Sequence, residues 1–322
     1  MTGSGNYTPG SSVTLTATAK TGYVFVCWQD GTTAASRTVT TGAAAVTYTA
    51  YFTPNTQQWV DLGLPSGRKW SSTNVGATTA YGVGGYYAWG ATATQSSYSS
   101  SSGPYYSSSG YTKYNATDGL TTLQPADDIA YQTYGTGAHI PTFEDFEELC
   151  AYTTKLATVS IGGRTCVVFV GSNGKCIITP GCGYKTGTAT QGTSAYYWTS
   201  TLSYSSTSSA IDAMMTNQNC IFNGTSGEGR GYGFNIRAVK NPWSSRPTPT
   251  GHHPNRSAAP RRMAGRCLLP GHPTRALPPP KFLRPSGAHI SPKKVLKNFT
   301  KLKNHFTPHN KYIPRALCPC YD

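Results

Sequence analysis

Residues 12–18, Ser-Val-Thr-Leu-Thr-Ala-Thr, alternate polar and apolar side chains with period two, the pattern of a half-buried strand. An apolar run at 23–28 (YVFVCW) follows, then the tight-turn dipeptide Asp30-Gly31, then strand-like stretches at 37–40 and 46–52. This spacing predicts a run of hairpins over residues 1–53. Residues 54–58, Pro-Asn-Thr-Gln-Gln, read as a short polar linker. Further on, the runs 165–170 and 176–179 flank Ser172-Asn173-Gly174, and Asn-Gly is the strongest short hairpin signal.

Helical signals are few. Thr142 followed by Asp145 is a capping-box variant, with Glu144 and Asp145 in the favourable first turn. Phe143, Phe146, Leu149 and Cys150 then fall on one helical face. Pro125 predicts a shorter helix over 125–131, started by a proline in its first turn. The remainder reads as short strands and long loops, so the pattern predicts a β-dominated α+β protein.

Composition changes the picture at one end of the chain. The whole sequence carries 27 Lys+Arg against 12 Asp+Glu. Residues 1–241 hold 12 basic and 11 acidic side chains, whereas 242–322 hold 15 and 1. Fifteen of the 22 prolines and six of the seven histidines also lie in that tail. No stretch approaches the 18 or so apolar residues of a membrane helix. The N-terminus has neither a basic nor an apolar region of the signal-peptide kind.

Two resemblances rest on quoted residues. "YTPGSSVTLTATAKTGYVFVCWQDGTT" closing on "VTYTAYF", most of 6–52, is similar to the bacterial surface repeat of the divergent internalin B-repeat type. That family usually has a further strand before these residues, so the first residue reads as an internal Met or a truncated start. From Trp59 a second resemblance begins with "WVDLGLPSGRKWSSTNVGA" (59–77) and "YGVGGYYAWG" (81–90). It continues in order through "IPTFEDFEEL", "CIITPGCGYKTG", "YYWTST" and "GYGFNIRAVKN", ending at 241. These blocks resemble the Fibrobacter succinogenes major paralogous domain. The resemblance implies a C-type-lectin-like fold, related to sulfatase-modifying factors and to variable proteins of diversity-generating retroelements, in secreted or surface proteins. The organisation expected is a β-rich repeat at 1–53, a linker at 54–58, a lectin-like domain at 59–241, and a tail at 242–322. The tail reads as disordered from its Pro-rich basic composition. It is open between a solvated linker, a nucleic-acid-binding arm and an out-of-frame translation.

Catalytic candidates are thin. His139 is the only imidazole before the tail and reads as structural. Asp127-Asp128 and Glu147-Glu148 are neighbours, which on a helix point about 100° apart, so neither pair converges on a substrate; they read as solvated faces and caps. The calcium-site triplets of sugar-binding lectins do not occur, and Cys166, Cys176, Cys182 and Cys220 do not match the paired cysteines of formylglycine-generating enzymes. A disulfide among those four and buried free thiols both stay open. Cys318-Pro319-Cys320 with His309 does not complete a tetrahedral metal set. No cofactor or metal is expected, and the expectation is a non-enzymatic protein.

A binding surface remains. Residues 92–117 form a Ser/Tyr/Gly tract, read as an exposed loop or, more sharply, as a ligand-contacting one. Within 196–235 the polar candidates are Tyr204, Ser206, Asp212, Thr216, Asn217, Asn219, Asn223, Glu228 and Arg230, while Ile211, Ile221, Phe234, Ile236 and Val239 read as core. In the retroelement-diversified relatives, variation concentrates in this segment. The expectation is a secreted or cell-surface protein that binds a protein or glycan through this face, with nucleic acid a weaker partner resting on the tail alone. A spacer without a specific ligand, or a lectin-fold modifying enzyme, are the other readings.

Overall fold

The computed structural model describes residues 1–216, 220–222 and 226–242; the expectations for the basic tail, and for Asn217, Asn219 and Asn223, lie outside them. The N-terminal strands are β1 (Ser12–Thr16), β2 (Tyr23–Trp28), β3 (Ser36–Thr40) and β4 (Ala50–Pro54). They are not successive hairpins. β1 pairs with β3, placing Val13 opposite Val39, and β2 pairs with β4, placing Phe25 opposite Phe52. Alternation fixes the face a residue occupies, not the strand beside it. A shared core joins the two ribbons: Val13, Leu15, Ala17 and Trp28 bury together, with Phe25, Val39 and Phe52 packed around them. Trp28 is fully buried and its indole N–H donates to the Ala34 carbonyl at 2.9 Å. The Asp30-Gly31 turn forms as read, with Gly31 at φ +83° donating its N–H to the Trp28 carbonyl.

The rest of the chain, in order, opens with β5 (Trp59–Asp61) and β6 (Lys69–Asn74). A small ribbon, β7 (Tyr106–Ser107) and β8 (Gly110–Tyr111), sits inside the Ser/Tyr tract. Helix α1 (Ile129–Tyr134), strand β9 (Ala138–His139) and helix α2 (Phe143–Tyr152) follow. Then come β10 (Thr154–Ile161), β11 (Arg164–Val170), β12 (Cys176–Pro180), β13 (Tyr184–Thr186) and β14 (Ala189–Gln191). The last are β15 (Ala195–Leu202), β16 (Ser209–Met215), β17 (Cys220–Phe222), β18 (Glu228–Gly229) and β19 (Arg237–Lys240). Strands dominate, as expected.

Three larger sheets carry the domain. One has the order β5-β6-β19-β9, so its central strands come from opposite ends of the domain. A second is β10-β11-β12, whose β11–β12 hairpin turns at Gly174, φ +76°, as the Asn-Gly signal predicts. The third is β15-β16-β17 with β18 beside β16. Helix α2 is capped by the Thr142/Asp145 box and buries Phe146 and Leu149, Phe146 meeting Trp70 edge-on at 5.0 Å. The 125–131 helix is corrected: a 3-10 turn at Pro125–Asp127 stops, and Asp128 caps a new helix, accepting from Ala130 N and Tyr131 N. A single proline start cannot hold one helix where an aspartate side chain competes for the backbone N–H groups.

Ile211, Phe234, Ile236 and Val239 are buried as expected, whereas Ile221 is only half-buried. Trp198 stacks on Phe234 with centroids 4.2 Å apart, and its N–H donates to the Tyr87 carbonyl. Arg237 is fully buried and donates to the carbonyls of Ser71 (3.1 Å) and Ile178 (2.6 Å), stitching β19 to β6 and β12. Cys150 and Cys220 form a disulfide between α2 and β17, while Cys27, Cys166, Cys176 and Cys182 are buried free thiols.

The β2–β4 ribbon packs on the second sheet. Val26 and Cys27 share a core cluster with Val168, Val170, Cys176 and Ile178. Thr53, fully buried, donates its hydroxyl to the Cys176 carbonyl at 2.9 Å. Residues 54–58, read as a linker, are held in place: Ser72 Oγ donates to the Thr56 carbonyl and accepts from Gln58 N.

Candidate functional site

The β15–β16 turn (203–208) and β18 meet at the start of β16, where Ser209 lies opposite Gly229 and Ala210 opposite Glu228. Glycine makes this approach possible: a Cβ on Gly227 would lie 2.3 Å from the Ala210 carbonyl oxygen, and one on Gly231 would lie 1.8 Å from that of Ser99. Arg230, between them, points inward and is fully buried. Its Nη1 donates to the carbonyls of Lys113 (3.1 Å), Tyr114 (3.3 Å) and Thr207 (3.1 Å). The guanidinium lies 3.9 Å from the Tyr111 ring centroid and 4.7 Å from that of Trp89. Among the described residues no carboxylate reaches it, so ring faces and carbonyl dipoles compensate its charge. Burial lowers its pKa to about 10, which leaves it charged at neutral pH.

The same tract is anchored a second time. Buried Asp127 accepts from the phenols of Tyr105 and Tyr114 and from Lys113 Nζ at 2.6 Å. Burial opposes its ionisation, but Lys113 and the two phenols hold the carboxyl below the usual range. Burial, then the Asp127 carboxylate, push the Tyr114 phenol well up. Tyr105 (φ +64°) and Tyr114 (φ +57°) are the non-glycine residues in left-handed backbone among those described. Such strain costs roughly 1–3 kcal/mol each and persists where surroundings over-determine it. The Ser/Tyr/Gly tract is therefore partly core, with Tyr98 and Tyr114 buried, and partly surface, with Tyr106 45% exposed.

The sequence candidates divide. Tyr204 is 62% exposed beside Glu144 and Glu147; Ser206 and Glu228 are half-buried, Ser206 paired to Ser208 at 2.7 Å and Glu228 opposite Ala210. Arg230 and Asp212 are corrected: both are fully buried, Asp212 on β16 opposite Trp198, so neither offers a surface contact. Arg230 instead ties the loops together from beneath. Thr216 lies past the far end of β16, seven residue steps or about 23 Å from Ser209. One strand thus separates what the sequence reads as one face. The tract's Tyr106 and Tyr111 join the near end; the Tyr/Ser composition is the signal that points to them.

Other candidates are structural. His139 Nε2 lies 3.5 Å from Asp145, and burial, then Arg68, lower its pKa. Arg68 and Asp145 form the ion pair that closes this corner. Asp127 and Asp128 are buried rather than solvated, and Glu148 accepts from Ser66 N and Oγ at 2.8 and 2.6 Å. Burial raises the four free thiols to about 11 or 12, which keeps them protonated. Among the described residues, no three His, Cys, Asp or Glu side chains gather to hold a metal ion, and no helix is long and apolar enough to cross a membrane.

A family model described as a divergent InlB B-repeat domain matches residues 1–56, in agreement with the first resemblance. Among curated proteins and solved structures, nothing matches the chain.

Proposed function

We propose that the chain is a non-enzymatic binding protein of the cell surface or extracellular space. It recognises a protein or glycan through the loop cluster formed by 203–208, 228–232 and the 99–114 tract. The observation that carries this reading is Arg230, which joins the three segments from within and leaves Tyr204 and Tyr106 outward. Rigid aromatics beside small hydroxyl side chains suit recognition, because contacts form with little loss of conformational freedom. The divergent InlB-type repeat, found in surface proteins, supports the location, and the resemblance of 59–241 to the lectin-like paralogous domain supports the frame. Because single contacts of this kind are modest, display in many copies strengthens attachment.

The test is binding of the full chain to a glycan array and to surface extracts of gut bacteria and mucosa. Tyr204→Ala with Tyr106→Ala is expected to weaken the strongest signal at least about tenfold, the loss of roughly 1.4 kcal/mol. Undiminished binding by the double variant, or no binding by the native chain, overturns the reading.

A further inference from the structure

At the other end of the third sheet a second feature opens. On β11 and β12, Val167 lies opposite Thr179, and Gly181 N donates to the Thr165 carbonyl just beyond. On β15 and β16, Ala195 lies opposite Met215. Between these ribbons is a cleft of about 400 Å³, inside the roughly 300–1,000 Å³ range of small-molecule sites.

The cleft is amphipathic. Its floor is Val167, Ala195 and Met215, each 5% exposed or less and part of the main core. Its walls carry the hydroxyl residues Thr165, Thr193, Ser194 and Thr216, while Thr179 turns its hydroxyl to the Val167 carbonyl at 3.0 Å. No charged side chain lines it among the described residues. A Cβ on Gly181 would lie 2.1 Å from the Thr193 carbonyl oxygen and 2.6 Å from that of Thr165, so the backbones meet there with no room between. Strands β11, β12, β15 and β16 supply Thr165, Val167, Thr179, Ala195 and Met215, while Gly181, Thr193, Ser194 and Thr216 come from the residues directly flanking strands.

We propose that this cleft is a binding site for a neutral, hydroxyl-rich ligand, a single uncharged sugar ring. Each threonine or serine hydroxyl both donates and accepts, matching a ring of alternating hydroxyl groups. The apolar floor receives the ring's C–H face. A charged ligand meets no counter-charge among the described residues and loses hydration, and a wholly apolar one offers nothing to the hydroxyls of Thr165, Thr193 and Ser194. The site lies about 20 Å from the Tyr204 cluster, the length of β16, and does not depend on it.

Saturation-transfer NMR on the full chain tests this, with the methyl glycosides of glucose, galactose and N-acetylglucosamine as probes and glucuronate and glucosamine as charged comparisons. At least one neutral glycoside receives transfer and the charged sugars do not. Ser194→Trp, which fills the cleft, abolishes the signal. Thr165→Val with Thr193→Val keeps the volume, removes two hydroxyls and weakens binding about tenfold; it decides the matter if the tryptophan variant does not fold. Tyr204→Ala leaves the transfer unchanged, so failure here and failure of the loop-cluster reading are told apart. No transfer to any neutral glycoside, equal transfer to the charged sugars, or undiminished binding by the valine variant overturns the proposal.

Discussion

Asp127 and Asp128 are adjacent and both buried, yet their environments push them in opposite directions. Asp127 has a cation and two phenols; Asp128 has only backbone N–H groups, from Ala130, Tyr131 and Ile140, and burial raises it to about 6. The signs follow. A carboxyl raised in the folded state contributes stability below its unfolded pKa of about 3.9 and loses it as pH rises to about 6. Asp127, depressed, contributes above its unfolded pKa and loses that contribution as pH falls through the folded one. The difference in melting temperature between native chain and Asp128→Asn therefore changes between about pH 4 and 6 and is flat above it, as thermal melts across that range will show. These opposed roles were hidden in the sequence, where the two are simply a pair; their partners at 105, 113, 114 and 140 come from the fold.

Elements defined by local chemistry were legible. The Thr142 capping box and the Asn173-Gly174 hairpin need only neighbours in the chain, and both form. Thr142→Ala is expected to cost about 1 kcal/mol in denaturant unfolding. Strand partnering was not legible, because alternation in β1–β4 is equally satisfied by successive hairpins and by the crossed pairing observed. The Cys150–Cys220 bridge was also out of reach: Cys150 read only as part of a helical face, and the partner of Cys220 lies 70 residues away, outside the set Cys166, Cys176, Cys182 and Cys220. Breaking it with Cys150→Ser and Cys220→Ser is expected to lower stability by about 2–4 kcal/mol, measured as the shift between variant and native unfolding midpoints.

For the whole molecule, the N-terminal repeat was legible and its union with the strands that follow was not. Val26, Cys27 and Thr53, all within the 1–53 repeat, cover Val168, Cys176 and Ile178. Removing residues 1–53 is therefore expected to expose that apolar patch, seen as increased binding of a hydrophobic dye and loss of solubility in the shortened chain. The candidate face was legible only in part: Tyr204 and Ser206 are at the surface, Arg230 and Asp212 are beneath it, and Thr216 belongs to another end of the sheet. A side chain's distance along a strand can be counted in sequence, but inward and outward turns at glycine-rich crossings such as 227–231 cannot.

The central pairing of β6 with β19 sets a timetable. Arg237 reaches back to the Ser71 carbonyl across 166 residues, a stretch that takes a ribosome roughly 10–30 s at about 5–20 residues per second. Until then β6 has only β5 beside it, so the β5-β6-β19-β9 sheet closes only after residue 240 has been made. Throughout that interval the inner edge of β6 presents unpaired N–H and C=O groups to any other strand that meets it.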